Sequence, residues 1–379
     1  MGKKILITGG AGFIGSSLSL ELLNRGHEVR ILDCLSKQVH GHNPISSELF
    51  KKIENKVDFL YGNVTSKEDL LRALSGVDTV VHLAAETGTG QSMYKIEKYV
   101  NVNIGGTSLL LDLIVNNSLP IERLVVASSR AVCGEGRYEC KTHGVQYPKS
   151  RLEKNLAEGR FEHYCPICLD ELELSKTDED SWLEPASIYG VTKLSQEQLV
   201  LTTAKAVGLS AIAYRYQNVY GPGQSLTNPY TGILSIFSTQ FRQNKPVNIF
   251  EDGLESRDFV YIDDVVNATI LGVEYPQFIS EVFNVGSGVA TTVLDLAFAL
   301  KKSFDSDSQI NISGQYRVGD IRHNIANLEK IKSILGFQPN ISIGEGLEEF
   351  CKWVHMRPIG DDSQYEKSLD ELRGKGLFK

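Results

Sequence analysis

A tyrosine and a lysine four positions apart form the pattern in this sequence that most directly suggests chemistry. Tyr189 and Lys193 lie in the segment SIYGVTKLSQEQL, which is typical of a helix, so both side chains lie on one helix face. A phenol with an ordinary pKa of about 10 is a poor base at neutral pH, but a neighbouring ammonium group favours the phenolate. Ser129, at the end of a predicted strand, offers a hydroxyl that can share a substrate proton. The three residues predict a site that removes a proton from a substrate hydroxyl.

Glycines at the end of the first predicted strand indicate a dinucleotide site. Gly9, Gly12 and Gly15 recur at a spacing of three, and the pattern predicts a helix that begins at Phe13. We expect these three glycines, with Phe13 and Ile14, to contact the cofactor. A glycine turn in this position lets the backbone approach a pyrophosphate, and the following helix points its free N–H groups at that anion. Without further support, the same glycines could simply connect a strand to a helix.

Asp33 provides that support. It ends the second predicted strand, at the distance downstream where an acidic side chain reaches the ribose hydroxyls of the cofactor. A carboxylate in this position would repel a 2′-phosphate, so we expect NAD rather than NADP. The alternative is that Asp33 is an ordinary turn residue at a strand end.

The elements that must position these residues are short apolar strands alternating with amphipathic helices. Continuous apolar strands separated by helices are typical of a parallel sheet covered on both faces, because each parallel crossover needs a connecting helix. The sequence therefore predicts an α/β fold with a doubly wound parallel sheet of the Rossmann type. The predicted strands cover residues 4–8, 28–33, 57–61, 79–84, 123–128 and 210–216.

The periodicity also suggests three parts of the chain. We expect residues 1–134 and 185–220 to form the NAD-binding domain, interrupted by an irregular, cysteine-bearing insertion at 135–184. Residues 221–379 are predicted to form a smaller α/β substrate-binding domain, with 258–285 partly returning to the first domain. The last fifteen or so residues are polar, and we expect them to fray.

Composition excludes several classes of function. The 379 residues are 41% hydrophobic and 23% charged with a formal net charge of -8, which is ordinary for a globular protein and long enough to bury a large core. An acidic balance argues against nucleic acid as a partner. With no apolar run of membrane-spanning or signal-peptide length, the chain is predicted to be cytoplasmic with no membrane association.

Four potential metal ligands fall within the insertion. Cys140 and His143 form one pair and Cys165 and Cys168 a second, with soft sulfur and imidazole donors that suit tetrahedral zinc. A closed set of four ligands leaves no position for a reacting water, so we expect a structural zinc ion that folds the insertion. Free cysteines or a labile disulfide are the alternatives.

Together, these motifs resemble the extended short-chain dehydrogenase/reductase family, the group of nucleotide-sugar epimerases and dehydratases. The match covers nearly the whole chain and rests on TGGAGFIG, YGVTK, RYQNVYGPG, RDFVYIDDV and YRVGDIRH. It implies a homodimer that acts on a nucleotide sugar, with Ser129, Tyr189 and Lys193 in catalysis. Further cofactor contacts implied by the resemblance are Asn63, Val64, Leu83, Ala84, Ala85 and Asn103. The implied substrate contacts are Asn218 near the sugar and Arg257, Arg317 and Arg322 near the diphosphate, where a planar guanidinium meets phosphate oxygens in pairs.

The residues after the serine narrow the reaction. Family dehydratases carry an Asp-Glu pair there and decarboxylases a glutamate, but this chain has Arg130 and Ala131. The resemblance therefore favours epimerisation, in which a hydride leaves C4 and returns to the opposite face. The family commonly has a tyrosine where this chain has Cys133, so contacts with the sugar could differ there.

Several segments, among them DCLSKQVHG and HLAAETGTGQSMY, are most similar to the epimerases that interconvert dTDP-L-rhamnose and dTDP-6-deoxy-L-talose. Epimerases of UDP-glucose or UDP-glucuronate are close alternatives. A sugar-nucleotide dehydrogenase that exchanges NAD with solution and a non-catalytic protein that senses NAD are two further hypotheses.

Overall fold

A computed structural model of the chain describes residues 2–117, 119–226, 228, 230, 232–359 and 363–379. The strands are β1 (Lys4–Thr8), β2 (Glu28–Asp33), β3 (Asp58–Tyr61), β4 (Thr79–His82), β5 (Arg123–Ser129), β6 (Tyr138–Cys140), β7 (Gly144–Gln146), β8 (Glu173–Leu174), β9 (Ser210–Tyr216), β10 (Asn218–Tyr220), β11 (Val247–Ile249), β12 (Ser256–Tyr261), β13 (Ser280–Val285), β14 (Ala290–Thr292) and β15 (Ile310–Ile312).

The helices are α1 (Phe13–Asn24), α2 (Lys37–His40), α3 (Glu48–Ile53), α4 (Lys67–Leu74), α5 (Thr89–Ser92), α6 (Ile96–Tyr99), α7 (Gly106–Asn116), α8 (Glu153–Ala157), α9 (Ile188–Val207), α10 (Ile233–Arg242), α11 (Ile262–Glu274), α12 (Val293–Ser303), α13 (Glu329–Leu335), α14 (Ile343–His355) and α15 (Ser363–Gly374). Single 3-10 turns lie at Pro44–Ser46 and Arg130–Cys133, and a π-helical segment at Val100–Gly105 joins α6 to α7. Among the helices of the described residues, none combines the length and apolar character needed to cross a membrane.

A seven-stranded parallel sheet forms the centre of the molecule, in the order β13-β9-β5-β4-β1-β2-β3. Helices cover both faces, and successive side chains of a strand point to opposite faces. In β1, Ile5 and Ile7 therefore join the core on one side while Leu6 joins the core on the other. This burial on both faces explains the continuous apolar runs in the sequence. The predicted doubly wound α/β fold is confirmed.

The strand order reverses between β1 and β4, and the carboxyl ends of the strands on both sides of this point meet at one edge of the sheet. Open α/β sheets bind their ligands in the crevice at such a switch point. The glycine turn after β1, Asp33 at the end of β2 and Ser129 at the end of β5 all lie along this edge. The topology thus brings together residues that are far apart in the sequence.

The C-terminal part of the chain forms a second layer beyond this edge. It contains the small sheets β10-β12-β14 and β11-β15, flanked by helices, while β13 returns to pair with β9 in the central sheet. The expectation that the last fifteen residues fray is wrong. Leu369 and Leu372 of α15 are buried with Phe378 in a small core, and Phe378 forms a bridge with Arg317.

The insertion has a small fold of its own. Strands β6, β7 and β8 form an antiparallel sheet, and a minor core lies around Tyr138, Cys165 and Leu172. Buried ion pairs attach this unit to the C-terminal layer, since Arg151 of the insertion pairs with Glu251. The insertion is therefore packed against the rest of the molecule through charged groups.

Candidate active site

A cavity of about 630 Å³ lies along the carboxyl edge of the sheet and continues into the C-terminal layer. Its wall includes the glycine turn and Asp33 at one end, Ser129 and Tyr189 in the middle, and Arg257 at the other end. A continuous cavity of this extent falls within the range of small-molecule and cofactor sites in proteins.

The glycine turn forms a close-packed cradle that side chains would fill. Gly9 has φ +71°, and a Cβ atom on it would lie 2.8 Å from the backbone nitrogen of Ala84. A Cβ atom on Gly15 would lie 2.5 Å from the carbonyl oxygen of Gly9. Helix α1 follows Gly12 without a capping side chain, so the first backbone N–H groups of the helix are left for an anion. These features fit the pyrophosphate of NAD.

Asp33 is oriented by the backbone around it. One carboxylate oxygen accepts a hydrogen bond from the N–H of Ala11 (3.0 Å) and the other from the N–H of Leu35 (2.8 Å). Each oxygen keeps a further lone pair for a ligand hydroxyl. Burial raises the pKa of this carboxyl group, while the two backbone N–H groups oppose that rise. The arrangement fits a ribose diol.

Most of the other predicted cofactor residues line the cavity, namely Phe13, Ile14, Asn63, Val64, Leu83, Ala84 and Ala85. Asn103 is different, because it is fully buried and is not part of the wall. Its amide oxygen accepts from the N–H of Glu86, and its amide nitrogen donates to the carbonyl of Glu86 and the hydroxyl of Thr192. Asn103 therefore holds the chain at Glu86, and its role as a cofactor contact stays a prediction.

Strand β5 and helix α9 bring the three predicted catalytic residues together. Helix α9 begins after Ser187, whose hydroxyl caps it by accepting from the N–H of Gly190. This start directs Tyr189 into the cavity wall, where Ser129 also lies, and the hydroxyl of Ser129 is one of the groups that oppose the rise in the pKa of the phenol. The neighbouring Ser128 is committed elsewhere, since it donates to Glu197 at 2.6 Å. Ser129 is thus the serine that faces the phenol.

Lys193 lines the same cavity as Ser129 and Tyr189. Its Nζ donates to the carbonyl of Ala127 at 2.8 Å, and burial lowers its pKa to about 7. The pKa of Tyr189 is raised by burial, and the groups that oppose this rise are the hydroxyl of Ser129 and the guanidinium of Arg130. The effect of Lys193 on the phenol stays a prediction; one of the three donors of its ammonium group is held by the carbonyl of Ala127.

Arg130 belongs to the site, although from the sequence it served only as evidence against dehydration. Its side chain lines the cavity, and its Nε donates to the amide oxygen of Asn218 at 2.7 Å. Burial and the charge of Arg257 lower its pKa to about 10. Its position directly after Ser129 was the signal that could have identified it. By contrast, Cys133 is buried behind the wall and does not line the cavity.

At the far end of the cavity, Asn218, Arg257 and Arg317 line the wall. Arg257 is held by backbone carbonyls, donating to those of Ser256, Ile321 and Arg322. The guanidinium of Arg317 lies 4.9 Å from the ring centre of Phe250. Two of the three predicted arginines therefore reach the cavity.

Arg322 does not reach it. Its side chain is wholly buried, and it donates to Glu162 of the insertion and to Asp252 and Glu251 of the C-terminal layer. A guanidinium whose donors are occupied by carboxylates has none left for a diphosphate in this arrangement, so the role of Arg322 as a substrate contact stays a prediction that this packing does not favour. The pattern YRVGDIRH shows two arginines at the right spacing but does not show which one faces inward.

Helix α15 supplies wall residues that sequence reasoning missed. Tyr365, Ser368 and Leu372 line the cavity. Tyr94 and Tyr230 meet through their hydroxyls at 2.9 Å, and Tyr94 donates to Glu371 of the same helix at 2.6 Å. The spacing of Leu369 and Leu372 was a weak signal of an amphipathic helix in a polar tail.

The four predicted metal ligands converge in the insertion. One ligand atom from each of Cys140, His143, Cys165 and Cys168 lies within 4.8 Å of the others. The sulfur atoms of Cys140 and Cys168 are 3.6 Å apart, and each of two sulfurs lies 3.5 Å from Nδ1 of His143. A tetrahedral zinc ion with Zn–S bonds of about 2.3 Å places its sulfur ligands about 3.8 Å apart. The cluster has the size of a zinc site and is too open for a disulfide.

The fold and the cavity together define a dinucleotide-binding α/β protein with a serine, a tyrosine and a lysine gathered at the sheet edge. The model of the NAD dependent epimerase/dehydratase family matches residues 5–151 and 170–286. The chain belongs to this family, and the predictions of the family and of an enzyme are confirmed. The gap in the match falls within the insertion.

Individual relatives agree with this placement. The chain is 36% identical to dTDP-L-rhamnose 4-epimerase of Burkholderia thailandensis, over 93% of this chain and 95% of the relative. UDP-glucuronic acid 4-epimerase of Bacillus cereus, solved with UDP-glucuronic acid and NAD, superposes with a TM-score of 0.76 at 28% identity, covering 93% of this chain and 99% of that one. UDP-glucose 4-epimerase of Thermotoga maritima, solved with UDP-glucose, gives a TM-score of 0.75 at 29% identity, covering 93% and 98%.

Proposed function

We propose that this protein is an NAD-dependent 4-epimerase of a nucleotide sugar, and that its substrate pair is dTDP-L-rhamnose and dTDP-6-deoxy-L-talose. The observation that carries the reaction type is that Ser129, Tyr189 and Lys193 line the same cavity as the glycine turn and Asp33. The proposal for the substrate is supported by the relative at 36% identity, which is named for that sugar. Relatives named for UDP-sugars make these the alternatives to test.

The residues divide the work along the cavity. The glycine cradle and Asp33 would hold NAD, while Arg257 and Arg317 would hold the diphosphate of the substrate. With the sugar bound, the phenolate of Tyr189 accepts the proton of the C4 hydroxyl, and Ser129 donates a hydrogen bond to the same oxygen. NAD held by the glycine cradle and Asp33 would supply the hydride chemistry at C4. Return of the proton from Tyr189 to the C4 oxygen completes inversion.

The wall around the tyrosine favours return of the hydride over loss of water. Elimination needs an acid and a base at the next carbon, but the residues that follow Ser129 are Arg130 and Ala131. A guanidinium beside the phenol cannot remove a proton, since its pKa, even lowered to about 10, leaves it charged at neutral pH. Reduction of the ketosugar is then the step available to the site.

The experiment is incubation of the purified protein with dTDP-L-rhamnose, UDP-glucose and UDP-glucuronate, with the configuration at C4 followed by NMR. We expect inversion of dTDP-L-rhamnose and no net accumulation of NADH. Inversion of a UDP-sugar alone would overturn the substrate and keep the reaction. Steady release of NADH would instead identify a dehydrogenase and overturn epimerisation.

A variant with Tyr189→Phe separates an enzyme from a protein that only senses NAD. The phenyl ring keeps the shape but cannot accept a proton, so we expect turnover to fall at least about 100-fold with NAD still bound. Val191→Ala is the matched control, because Val191 lies on the same helix with an exposed side chain. Undiminished activity of the Tyr189→Phe variant would rule out the tyrosine as the base.

We further propose a structural zinc ion bound by Cys140, His143, Cys165 and Cys168. The support is the convergence of the four ligand atoms and the 3.6 Å sulfur separation. Elemental analysis should find one zinc ion per chain, and Cys168→Ser should lower this zinc content. Cys34→Ser is the matched control, because Cys34 lies outside the cluster, and it should leave the zinc content unchanged. Purified protein without zinc, folded and stable in chelator, would contradict this.

The remaining expectations stay predictions. The first is the division of the chain into an NAD-binding domain of residues 1–134 and 185–220, an insertion of residues 135–184 and a substrate-binding domain of residues 221–379. The others are a homodimer and a cytoplasmic location. Sedimentation of the purified protein would test the dimer.

A further inference from the structure

Arg257 in the cavity wall is oriented by the backbone of a neighbouring loop, residues 320–322. Its Nη1 donates to the carbonyl of Arg322 at 2.9 Å and its Nη2 to the carbonyl of Ile321 at 2.7 Å. A third bond, from Nη1 to the carbonyl of Ser256, stays within β12. Because neutral carbonyl groups hold the guanidinium, its charge and its remaining N–H groups can serve phosphate oxygens. The position of this cation therefore depends on where the 320–322 loop lies.

The insertion, residues 135–184, binds the same loop through two buried side chains. Glu135, the first residue of the insertion, accepts a hydrogen bond from the N–H of Arg322 at 2.7 Å. Arg151 donates from Nη2 to the carbonyl of Asp320 at 3.0 Å. The side chains of Glu135 and Arg151 are only 2% and 3% exposed. Side chains of the insertion thus fix the backbone at both ends of the loop.

Glu135 and Arg151 are themselves held by charged partners. Arg151 places both Nη atoms on the carboxylate of Glu251, at 2.7 and 2.8 Å. The carboxylate of Glu135 lies 3.0 Å from Nε2 of His163 and 3.7 Å from Nε of Arg151. Charge-assisted and bidentate contacts of this kind are strong and geometrically specific. A change in either side chain should therefore shift the loop and, with it, the carbonyls that orient the cavity arginine.

We propose that Glu135 and Arg151 are positioning residues for the diphosphate of the substrate, because they hold the loop whose carbonyls orient Arg257. The proposal rests on the proposed function, in which Arg257 binds that diphosphate. Both residues lie outside the cavity wall, so they act on the substrate only through Arg257. Binding that is equally strong in the ground state and the transition state changes KM and not kcat. The insertion is thereby a part of the substrate-binding apparatus.

The test is calorimetric titration of the NAD-loaded protein with dTDP and UDP, beside steady-state kinetics with the nucleotide sugar. Arg151→Met removes the bond to the carbonyl of Asp320, and we expect Kd and KM to rise about tenfold, with kcat and the retained NAD unchanged. Arg151→Lys keeps a charge for Glu251 but loses the planar fork that reaches Asp320 at the same time. It should fold and raise Kd in the same direction.

Glu135 gives a second pair of variants. Glu135→Ala removes the acceptor for the N–H of residue 322, and Kd should again rise about tenfold. Glu135→Gln keeps a side-chain carbonyl in this position and should retain most of the affinity. The matched control is Arg123→Met, because Arg123 is 5% exposed and also donates to backbone carbonyls, but at the amino end of β5, away from the cavity edge. It should lower stability and leave Kd unchanged.

A double-mutant cycle with Arg257→Met tests whether the effect passes through Arg257. Without this guanidinium there is nothing left for Arg151 to position, so Arg151→Met should weaken dTDP binding no further. An unchanged Kd in Arg151→Met and Glu135→Ala, an equal loss in Arg123→Met, or a full additional loss in the Arg257→Met background would each overturn the inference alone. Wild-type affinity in Arg257→Met itself would instead overturn the proposed diphosphate site.

Discussion

Replacing Arg322 with methionine tests whether this arginine supports the fold or the substrate. Its side chain is 0% exposed and donates to Glu162 and Asp252, with a further bond of 3.0 Å to Glu251. Methionine fills a similar volume but leaves carboxylates without their cation. We expect Arg322→Met to weaken the attachment of the insertion to the C-terminal layer.

The size of the effect follows from these partners. Breaking a fully buried ion pair costs about 3–5 kcal/mol. The side chains of Glu162 and Asp252 keep 25% and 36% of their surface exposed, and Arg151 still pairs with Glu251, so the lower end, about 3 kcal/mol, applies. An unfolding entropy of about 2.1 cal/mol/K per residue gives about 0.8 kcal/mol/K for 379 residues. Dividing the loss of about 3 kcal/mol by this entropy, we expect the midpoint temperature of thermal unfolding to fall by about 4 °C.

The assay is thermal unfolding by circular dichroism beside the steady-state kinetics of the same preparation. Arg25→Met is the matched control, because Arg25 is 39% exposed and its surface ion pairs contribute less than about 1 kcal/mol. KM should change little, since Arg257 bonds to the backbone carbonyl of residue 322 and that bond survives. An unchanged midpoint with a KM raised tenfold or more would refute this reasoning and place Arg322 on the substrate.

Three further outcomes are expected. Gly9→Ala should reduce the amount of NAD that stays bound through purification. Residue 9 has φ +71°, which alanine adopts at a cost, and the new Cβ would lie 2.8 Å from the nitrogen of Ala84, so the cradle must distort. Full retention of NAD would contradict this prediction. Ser129→Ala should lower kcat by about 100-fold and move the acid limb of its pH profile upward, since the hydroxyl lowers the pKa of the phenol. In acid, burial alone would raise the pKa of Glu162, but hydrogen bonds from His323 and Arg322 lower it to about 2 from 4.5. That stability is present above pH 4.5 and is lost as the pH falls toward 2, so an acid titration of unfolding should be flatter in Arg322→Met.

The fold could be predicted because its signals are local and strong. The buried run at β1 and the glycine turn after it mark a strand, a turn and a helix within about twenty residues. Short elements such as β10 and β14 have three residues each and depend on neighbours distant in the sequence. Helix α15 was missed because its apolar side chains are few and its packing partners, including Phe250, lie more than a hundred residues away.

At the site, residue types could be predicted but not the direction of each side chain. Ser129 and Tyr189 meet because a strand end and a helix start lie at the same sheet edge, which the topology requires. Asn103 and Arg322 turn away from the cavity because partners elsewhere in the chain satisfy them, Thr192 in one case and Glu162 in the other. Spacing along a helix placed Lys193 near Tyr189 but could not reveal the carbonyl that holds its ammonium group.

The central claim is that a hydride leaves C4 of the sugar and returns to the opposite face of the same carbon. Its most direct test is dTDP-L-rhamnose carrying deuterium at C4, incubated with the protein in ordinary water and analysed by NMR and mass spectrometry. We predict a product inverted at C4 that retains the deuterium. Inversion with loss of the label to water, or a product still unchanged at C4, would contradict it.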